Sequence, residues 1–297
     1  MLDRLVTEQR NRATEQIDSV PTAEMLRLLN VEDRRPAEAV GEQIPQIAEA
    51  VDRIFERMQR GGRVFYIGAG TSGRLGVLDA SEIPPTYGAD PELFQALIAG
   101  GYDALVHSIE GAEDDAAAGA AELAAKGFGA NDSVVGIAAS GRTPYVIGAL
   151  DEARKRGGLA IALTTNPDSA MAPHADIVIA PVVGPEAIAG STRMKSGTAQ
   201  KLTLNMLSTG LMIKRGHVYG NRMVRLKLAN EKLWIRARRL VEDIAGCGPG
   251  DALAALQATH DVRAAVLICR FGLSPEDAWK RLDDAGGQLR AALESNP

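Results

Sequence analysis

Residues 63–85, RVFYIGAGTSGRLGVLDASEIPP, decide the class of fold that the chain is predicted to adopt. The apolar residues 63–67 predict a buried strand, which is followed by the turn Gly68-Ala69-Gly70-Thr71-Ser72-Gly73-Arg74. This turn matches the G-x-G-x-x-G pattern, in which a strand, a glycine turn and a helix N-terminus bind the pyrophosphate of a dinucleotide. The stretch therefore predicts an α/β protein with a phosphate site at the turn, and it leaves open which phosphate binds there.

A dinucleotide site also needs an acidic residue at the end of a second strand, about 20 residues after the glycines, to bind the ribose. Asp90 lies at that distance, but it follows Pro84 and Pro85 in a predicted loop and does not end a strand. The hydroxyls of Thr71 and Ser72 favour a phosphate monoester. We therefore interpret the turn as a sugar-phosphate site, and the glycine pattern as a weak match to dinucleotide-binding proteins.

Predicted strands and helices alternate beyond this stretch. Strand patterns lie at residues 63–67, 93–99, 133–138, 159–164 and 177–180, and helical patterns at 75–81, 115–126 and 143–156. Pro84 and Pro85 are expected to stop the helix that begins at Leu75. This alternation predicts an α/β fold with a doubly wound parallel sheet, covered by helices on both faces.

Helical patterns also lie on both sides of the predicted sheet. They cover residues 1–60, which include one helix at 37–58, then 194–215, 227–244 and three or four short helices near the C-terminus. The run Gly246-Cys247-Gly248-Pro249-Gly250 is the strongest linker candidate. We therefore predict a domain over residues 1–245, with N-terminal helices, and a small C-terminal helical bundle over 246–297. In that bundle, Ser274 should cap a helix that begins at Pro275.

Composition argues against several classes of function. The 297 residues are 45% hydrophobic and carry a formal net charge of -5, which argues against nucleic acid as a partner. No apolar window is long enough for a transmembrane helix, and the polar N-terminus does not resemble a signal peptide. Two cysteines are too few for a disulfide framework, and four histidines show no metal-site spacing. We expect a cytoplasmic protein.

A second junction repeats the hydroxyl and glycine pattern of the first. Ser140-Gly141-Arg142-Thr143 follows the predicted strand at 133–138, and a third segment, Gly190–Thr198, adds four hydroxyls and a lysine before a long helix. Helix N-termini attract anions, and ligands of such sheets bind at the carboxyl ends of strands. The three segments are therefore candidate phosphate sites. The alternative is that Ser72 and Ser140 only cap helices.

Four blocks of the sequence, in their order and spacing, resemble one enzyme family. The blocks are IGAGTSGRLGVLDASEIPPTYG, IEGAEDDAAAGA, AASGRTPYV and GSTRMKSGTAQKLTLNM. They are similar to those of the N-acetylmuramic acid 6-phosphate etherases, which have the sugar isomerase (SIS) fold that binds phosphosugars. The similarity extends over nearly the whole chain. One departure is Ile83, where the family pattern leads us to expect a cysteine.

The resemblance implies a carbon–oxygen lyase that cleaves the ether between D-lactate and carbon 3 of a phosphorylated amino sugar, in cell-wall sugar recycling. Ring opening exposes an aldehyde, a base removes the proton on carbon 2, an acid protonates the departing ether oxygen, and water then adds at carbon 3. The products are N-acetylglucosamine 6-phosphate and D-lactate, and no metal or redox cofactor is needed. The resemblance also implies a homodimer with the site near the subunit interface, and a C-terminal bundle similar to ubiquitin-associated domains.

Two carboxyl groups carry this chemistry, and the resemblance implies that Glu82 is the acid and Glu113 the base. Burial beside the two prolines would raise the pKa of Glu82, and a helix N-terminus would favour ionised Glu113. Three alternatives are that Glu82 is a surface residue at a helix end, that Glu113 only complements a helix dipole, and that Glu110 acts in place of Glu113. One of the histidines could assist opening of the sugar ring, and the sequence does not choose among His107, His174, His217 and His260. His217 is a candidate because it follows the long helix after the third segment.

The candidate substrate-binding residues come from the three hydroxyl segments. They are Gly70, Thr71, Ser72, Gly73, Arg74, Ser140, Gly141, Arg142, Thr143, Ser191, Thr192 and Lys195. Arg74 and Arg142 would pair with a phosphate or a carboxylate, or else cap nearby structure. The alternative function is a non-catalytic phosphosugar-binding regulator, which needs the hydroxyl segments but not Glu82. A sugar-phosphate isomerase would need only one base.

Overall fold

A five-stranded parallel sheet lies at the centre of the first half of the computed structural model, which describes residues 6–295. Its strands are β1 (Val64–Gly68), β2 (Phe94–Ile98), β3 (Ser133–Ile137), β4 (Leu159–Leu163) and β5 (Ile177–Ile179). Their spatial order is β2-β1-β3-β4-β5, with every pair parallel. The predicted doubly wound α/β fold is confirmed. The strand order reverses between β1 and β3, and ligands of such sheets bind at this point.

Seven helices accompany the sheet in the described chain. In order they are α1 (Thr22–Glu32), α2 (Arg35–Gly41), α3 (Ile44–Met58), α4 (Gly70–Tyr87), α5 (Ala116–Ala125), α6 (Pro144–Lys155) and α7 (Lys195–Lys214). The helix predicted at 37–58 is two helices, α2 and α3, because Pro45 has no N–H to continue the hydrogen-bond ladder. The predicted helical N-terminus differs too: residues 6–8 and 12–14 form single 3-10 turns, and residues 1–5 lie outside the described residues.

The sheet is apolar because its strands are covered on both faces. Every residue of β1, β3 and β4 is buried, and α6 packs against β3 and β4. Gly136 of β3 makes close packing possible, since a Cβ at this position would lie 2.6 Å from Cγ1 of Val146 on α6. The sheet core therefore holds the carboxyl ends of β1 and β3 in a fixed position.

Helix α4 continues through Pro84 and Pro85 to Tyr87, so the predicted stop at the prolines was wrong. A proline inside a helix removes one hydrogen bond and costs about 3 kcal/mol relative to alanine. Ile83 and Tyr87 are buried on the inner face of the same turns, and such burial is worth about 1.5–3 kcal/mol per side chain. Tertiary packing of these two residues therefore offsets the local preference of the prolines.

The chain divides into two compact units, and the second is formed by residues 82–90 and the described residues after Ser208. The first unit comprises the described residues up to Ser81 and Pro91–Ser208. After α7, the second unit contains the hairpin strands β6 (Val218–Tyr219) and β7 (Arg222–Met223) and helices α8 (Glu231–Ala245), α9 (Pro249–Thr259), α10 (Val262–Phe271), α11 (Pro275–Asp284) and α12 (Leu289–Glu294). The backbone N–H of Asp277 donates to Oγ of Ser274 at 3.1 Å, which confirms the predicted helix start.

The boundary between the units lies between Ser208 and Thr209, within α7, and differs from the one predicted at residue 245. Gly246 has a φ of 71° and caps α8, and Pro249 begins α9, so the predicted linker is a tight turn between packed helices. Helix α8 belongs with the C-terminal helices because its apolar side joins the same core as α9 and α10. The residues of α8 in that core are Ala237, Val241 and Ala245.

Candidate active site at the carboxyl ends of β1 and β3

The turn after β1 depends on its glycines. Gly70 has a φ of 53°, a conformation that favours glycine. A Cβ on Gly68 would lie 2.7 Å from the Gly73 nitrogen, and one on Gly73 would lie 2.8 Å from the Gly68 oxygen, so only glycines let α4 begin this close to β1. Thr71 and Ser72 consequently lie in the first turn of α4, where helical N–H groups have no intrahelical partner.

Ser72 is buried, and its hydroxyl donates to Oε1 of Gln200 on α7 at 2.9 Å. This bond is not an N-cap bond, so the geometry gives Ser72 a role other than capping α4. Gly197, one turn before Gln200, also faces α4, since a Cβ there would lie 3.5 Å from Cγ2 of Thr71. The first turns of α4 and α7 therefore pack together at the β1 turn.

The turn after β3 begins beside the turn after β1, because the strand register pairs Gly68 with Ile137. Gly141 has a φ of 66°, and a Cβ there would lie 2.2 Å from Cβ of Ser169, so no larger residue fits. Oγ of Ser140 accepts from the backbone N–H of Arg142 at 3.3 Å, and Thr143 makes no side-chain cap bond to α6. Two hydroxyl-bearing turns thus lie side by side at the point where the strand order reverses.

The third predicted segment is engaged with the protein's own carboxylates. Glu186 is buried and accepts from the backbone N–H groups of Lys195 and Ser196 at 2.9 Å each, so it occupies the N-terminus of α7. Nζ of Lys195, also buried, forms an ion pair with Glu32 of α1. The structure therefore places the Lys195 ammonium in the interior, and its phosphate role stays a prediction. The other two candidates, Ser191 and Thr192, are half-buried in the turn before α7.

The Glu32–Lys195 pair shifts the titration of the carboxyl group. Burial by itself raises the pKa of Glu32, but hydrogen bonds from Lys195 and Asn11 and the nearby positive charges outweigh it, so the net pKa lies below the usual value. Glu32 is therefore ionised at neutral pH.

A cavity of about 320 Å³ opens next to the β1 turn. Gly70 and Arg74 line it from α4, and Glu110 and Glu113 line it from the segment before α5. Its apolar lining consists of Ala69, Ala99, Ala104, Ile109 and Ala112. Both candidate bases therefore reach the same cavity, and the geometry does not choose between them.

Glu113 lies in the single 3-10 turn Ala112–Asp114, and not at the start of an α-helix as predicted. Helix α5 begins at Ala116, and its N-cap is Asp115, whose carboxylate accepts from the backbone N–H of Ala118 at 2.9 Å. The helix-dipole effect that was predicted for Glu113 therefore belongs to Asp115.

Arg74 holds the segment that leads to the candidate bases. Its Nε donates to the Leu105 carbonyl at 3.0 Å, and its Nη2 donates to the His107 carbonyl at 3.2 Å. With these two bonds Arg74 caps nearby structure, which is the alternative that was predicted for it. Arg142, the corresponding residue of the second turn, is half-buried.

Glu82 is exposed on α4, so the burial predicted for it is not observed in the described chain. The helix turns about 100° per residue, and it directs Ile83 inward and Glu82 outward. The exposed residues Leu78, Ser81, Glu82 and Pro85 share one face of α4, at spacings of three, four and seven. In the described single chain the carboxyl group of Glu82 is therefore open to water.

His217 is buried in the second unit, and both of its ring nitrogens are engaged. Its Nδ1 is 2.9 Å from the Tyr87 carbonyl, and its Nε2 is 3.2 Å from Nη1 of Arg225. A neutral ring that donates from Nδ1 and accepts at Nε2 satisfies both partners. Burial lowers the pKa of His217 to about 4. These contacts hold the ring between Tyr87 and Arg225, and a role of His217 in ring opening stays a prediction.

Sequence reasoning missed the side chains that hold the hydroxyl turns together. The hydroxyls of Thr165 and Ser196 are 3.2 Å apart, and Thr165 and Asn166 each donate to the Ala139 carbonyl at 2.9 Å. Gln200, bonded to Ser72, lies one turn after Ser196 on α7. The available signal was the block GSTRMKSGTAQKLTLNM, which places both residues on one helix face.

In residues 6–295, no group of three or more potential metal-ligating side chains comes together, and no helix within that range is long and apolar enough to cross a membrane. Asp90 lies in the loop between α4 and β2, as expected for a glycine turn that does not bind a dinucleotide.

The fold and the paired hydroxyl turns define the class of SIS-domain proteins. Residues 117–210 match the SIS domain model, and residues 46–154 match the model of the glucokinase regulatory protein N-terminal SIS domain. A phosphoheptose isomerase from Francisella tularensis has a TM-score of 0.50 at 22% identity, covering 63% of this chain and 98% of that one. A phosphosugar isomerase-like protein of capsule formation from Bacteroides fragilis has a TM-score of 0.51 at 20% identity, covering 68% and 95%. These likenesses show the fold.

Relatives with much higher identity narrow the class to one family. The chain is 56% identical to the N-acetylmuramic acid 6-phosphate etherase of Symbiobacterium thermophilum, over 92% of this chain and 91% of the relative. It is 51% identical to that of Clostridium beijerinckii, over 99% and 97%, and 53% identical to that of Serratia proteamaculans, over 98% and 99%. The chain belongs to the N-acetylmuramic acid 6-phosphate etherase family.

Proposed function

We propose that the protein cleaves the D-lactyl ether of N-acetylmuramic acid 6-phosphate in the recycling of cell-wall sugars. The products are N-acetylglucosamine 6-phosphate and D-lactate. One observation carries the proposal: relatives named for this substrate share 51% and 56% identity with the chain over 99% and 92% of its length. The cavity supports it, because Ala69 and Gly70 of the turn after β1 line it and a helix N-terminus suits a phosphate monoester.

In this proposal the phosphate binds at the turns after β1 and β3. The residues assigned to it are Gly70, Thr71, Ser72, Gly73, Ser140, Gly141 and Thr143, with Arg142, Ser191, Thr192 and Lys195 as further candidates. Arg74 is assigned to holding the segment 105–107 through its two carbonyl bonds, which places Glu110 and Glu113 at the cavity.

The reaction is an elimination followed by hydration. Once the sugar ring is open, the aldehyde at carbon 1 acidifies the proton on carbon 2, and Glu113 removes that proton. Glu82 gives a proton to the ether oxygen on carbon 3, and D-lactate leaves. Water then adds across the double bond, with hydroxyl to carbon 3 and a proton to carbon 2. An acid and a base of different protonation state suffice for these steps.

We infer that the active form is a homodimer whose interface covers the exposed face of α4. Leu78 on that face is 47% exposed, and it lies one turn before Glu82. A second copy packed on this face would bury Leu78 and remove water from Glu82, which raises the pKa of a carboxyl group and keeps its proton. A cytoplasmic location belongs to the same proposal, and it agrees with the two cysteines, which are free thiols.

The test is release of D-lactate from N-acetylmuramic acid 6-phosphate. Loss of a general acid or base lowers the rate roughly 100-fold or more. We expect such losses in Glu82→Gln and Glu113→Gln, and a loss of less than about tenfold in Glu110→Gln. A full rate in Glu82→Gln removes the acid assignment, and a larger loss in Glu110→Gln than in Glu113→Gln transfers the base role to Glu110.

The alternative function, a non-catalytic regulator, makes a different prediction in the same assay. A regulator binds the sugar phosphate, and the substrate is recovered unchanged. The match to the glucokinase regulatory protein model covers residues 46–154, the SIS region, and carries no argument for regulation by this chain. Binding without lactate release by the wild type would favour the regulator.

A further inference from the structure

Gln200 has a buried side-chain amide in which only the oxygen has a hydrogen-bond partner among the described residues. The side chain is 1% exposed, and its Oε1 accepts from the hydroxyl of Ser72 at 2.9 Å. Its Nε2 is buried and has no hydrogen-bond partner among the described residues. Buried N–H groups without a partner are rare in folded proteins, whereas a carbonyl that lacks one partner is more common. The orphan donor lies on the residue that contacts the phosphate turn.

The bond between Ser72 and Gln200 uses the single proton of the serine hydroxyl. A hydroxyl has one donor and two acceptor positions, so Ser72 cannot donate to Gln200 and to a phosphate at the same time. A half-turn of the amide exchanges Oε1 and Nε2. Nε2 then donates to Oγ of Ser72, and the serine proton is free for an anion.

We propose that Gln200 is a substrate-positioning residue, which donates from Nε2 to Oγ of Ser72 and so directs the Ser72 proton to the bound phosphate. This inference rests on the proposed phosphosugar site. It explains why a buried amide lies against the phosphate turn, and why its Nε2 has no partner in the absence of a ligand. Gln200 acts through Ser72 and has no catalytic role of its own.

Two substitutions separate a donor role from a purely structural one. An ionised carboxylate in Gln200→Glu can only accept, so it holds the Ser72 proton and adds a negative charge near the phosphate. Methionine in Gln200→Met has a similar length and releases Ser72. A donor role therefore predicts a greater loss of phosphate affinity in Gln200→Glu than in Gln200→Met. A structural acceptor role leaves charge repulsion as the whole cause of the Gln200→Glu loss, so the loss would be the same in a Ser72→Ala background, where a donor role predicts a smaller one.

Thr203→Val is the matched control. Thr203 is buried on the same helix, and its hydroxyl donates to the Ala199 carbonyl at 2.9 Å. The substitution removes a buried hydrogen bond from α7 without touching Ser72, so it reports the effect of a general loss of stability in this helix.

The experiment measures inhibition of lactate release by inorganic phosphate at pH 8 and pH 5.5, with each variant compared with wild type at the same pH. At pH 8 we expect roughly tenfold or more weaker phosphate binding in Gln200→Glu and about threefold in Gln200→Met, with Thr203→Val within twofold. At pH 5.5 a buried glutamate is protonated and can donate, so Gln200→Glu should regain most of its affinity. Equal affinities in all three variants, or a loss in Gln200→Glu that does not recover at pH 5.5, would overturn the inference.

A second arm keeps the inference testable if Gln200→Glu does not fold. In a Ser72→Ala background, Gln200→Met should weaken phosphate binding no further, because the glutamine acts only through the hydroxyl. A further loss in that background contradicts the proposal. A wild type that neither releases lactate nor binds phosphate or N-acetylglucosamine 6-phosphate would instead remove the proposed function.

Discussion

At position 141, Ser169 and Thr164 leave no space for a side chain. Alanine in Gly141→Ala would place its Cβ 2.2 Å from Cβ of Ser169, so the turn after β3 must move. Gly127→Ala is the matched control, because Gly127 has nearly the same φ, 65°, and nothing within 4 Å of its Cβ position. Both variants should lose roughly 1–2 kcal/mol of unfolding free energy from the positive φ.

Gly141→Ala should lose more unfolding free energy than Gly127→Ala, because its Cβ also clashes. Of the two variants, only Gly141→Ala should lose phosphate affinity. Urea unfolding and phosphate inhibition measure the two effects. The same stability loss in both variants, with unchanged affinity, would mean that the turn after β3 takes no part in binding.

The buried pair of Glu32 and Lys195 makes a prediction about stability. Lys195→Met removes the buried cation of Glu32 and leaves the carboxylate with the exposed Arg35, whose Nε lies 3.3 Å from Oε1 of Glu32. The loss should be at most about 3–5 kcal/mol, the cost of breaking a buried ion pair. The double variant Glu32→Gln/Lys195→Met should be more stable than Lys195→Met, since no charge stays buried. Denaturant unfolding at pH 7 measures both. A Lys195→Met variant with unchanged stability and weak phosphate binding would instead make Lys195 a ligand of the phosphate.

The same pair sets a dependence on pH. The pKa of Glu32 is lowered in the folded protein, so its contribution to stability is complete above the usual carboxyl value of about 4.5 and is lost as the pH falls through the lowered folded value. The unfolding free energy of the double variant should therefore fall less than that of the wild type between pH 6 and pH 3, as measured by denaturant unfolding at each pH.

At the scale of elements, His217 connects the end of α4 at Tyr87 to Arg225, which follows β7. Its pKa falls from 6.5 to about 4 on folding, because burial excludes the charged ring. Between these values the unfolded chain binds a proton that the folded chain does not, so stability decreases as the pH falls from 6.5 to 4. At pH 5 the loss should be about 2 kcal/mol.

A glutamine at this position can donate to the Tyr87 carbonyl and accept from Arg225, but it does not titrate. His217→Gln should therefore flatten the fall in stability between pH 7.5 and pH 5, measured by guanidinium unfolding. An unchanged slope would assign the pH dependence to other groups.

The elements that were predicted well are those with a strong local pattern. Buried apolar runs gave the five strands, and Ser274 with Pro275 gave the start of α11. The end of α4 was wrongly predicted at its prolines, because the local helix preference of a sequence takes no account of side-chain burial in the folded chain. Ile83 and Tyr87 are both buried. The hydroxyl turns could be predicted from glycines and serines at strand ends. The pairing of Ser72 with Gln200 could not, because it joins residues 128 positions apart.

At the scale of the whole molecule, the proposed dimer makes a prediction about the exposed face of α4. Leu78→Arg should weaken the dimer, leaving Glu82 in water and lowering lactate release roughly tenfold or more. Leu253→Arg is the control, because Leu253 is 40% exposed on α9. Light scattering and the lactate assay report both variants. A wild type that is monomeric and fully active would contradict the proposal.

A cut at the predicted boundary tests the division into units. A chain that ends at residue 245 lacks the helices that cover Ala237, Val241 and Ala245 of α8. We expect this fragment to aggregate, because the apolar side of α8 is then exposed. A soluble, cooperatively unfolding fragment would show that the C-terminal helices are a separate module, as the Gly246–Gly250 run suggested.

The second unit is assembled from two stretches of chain that are far apart in sequence, residues 82–90 and those after Ser208. During synthesis the first stretch leaves the ribosome well before the second is made. At about 5–20 residues per second, translation of residues 91–208 takes roughly 6–24 s. Ile83 and Tyr87 complete their packing only when the C-terminal helices emerge, so for at least this interval the nascent chain displays an unpaired apolar segment that chaperones can bind.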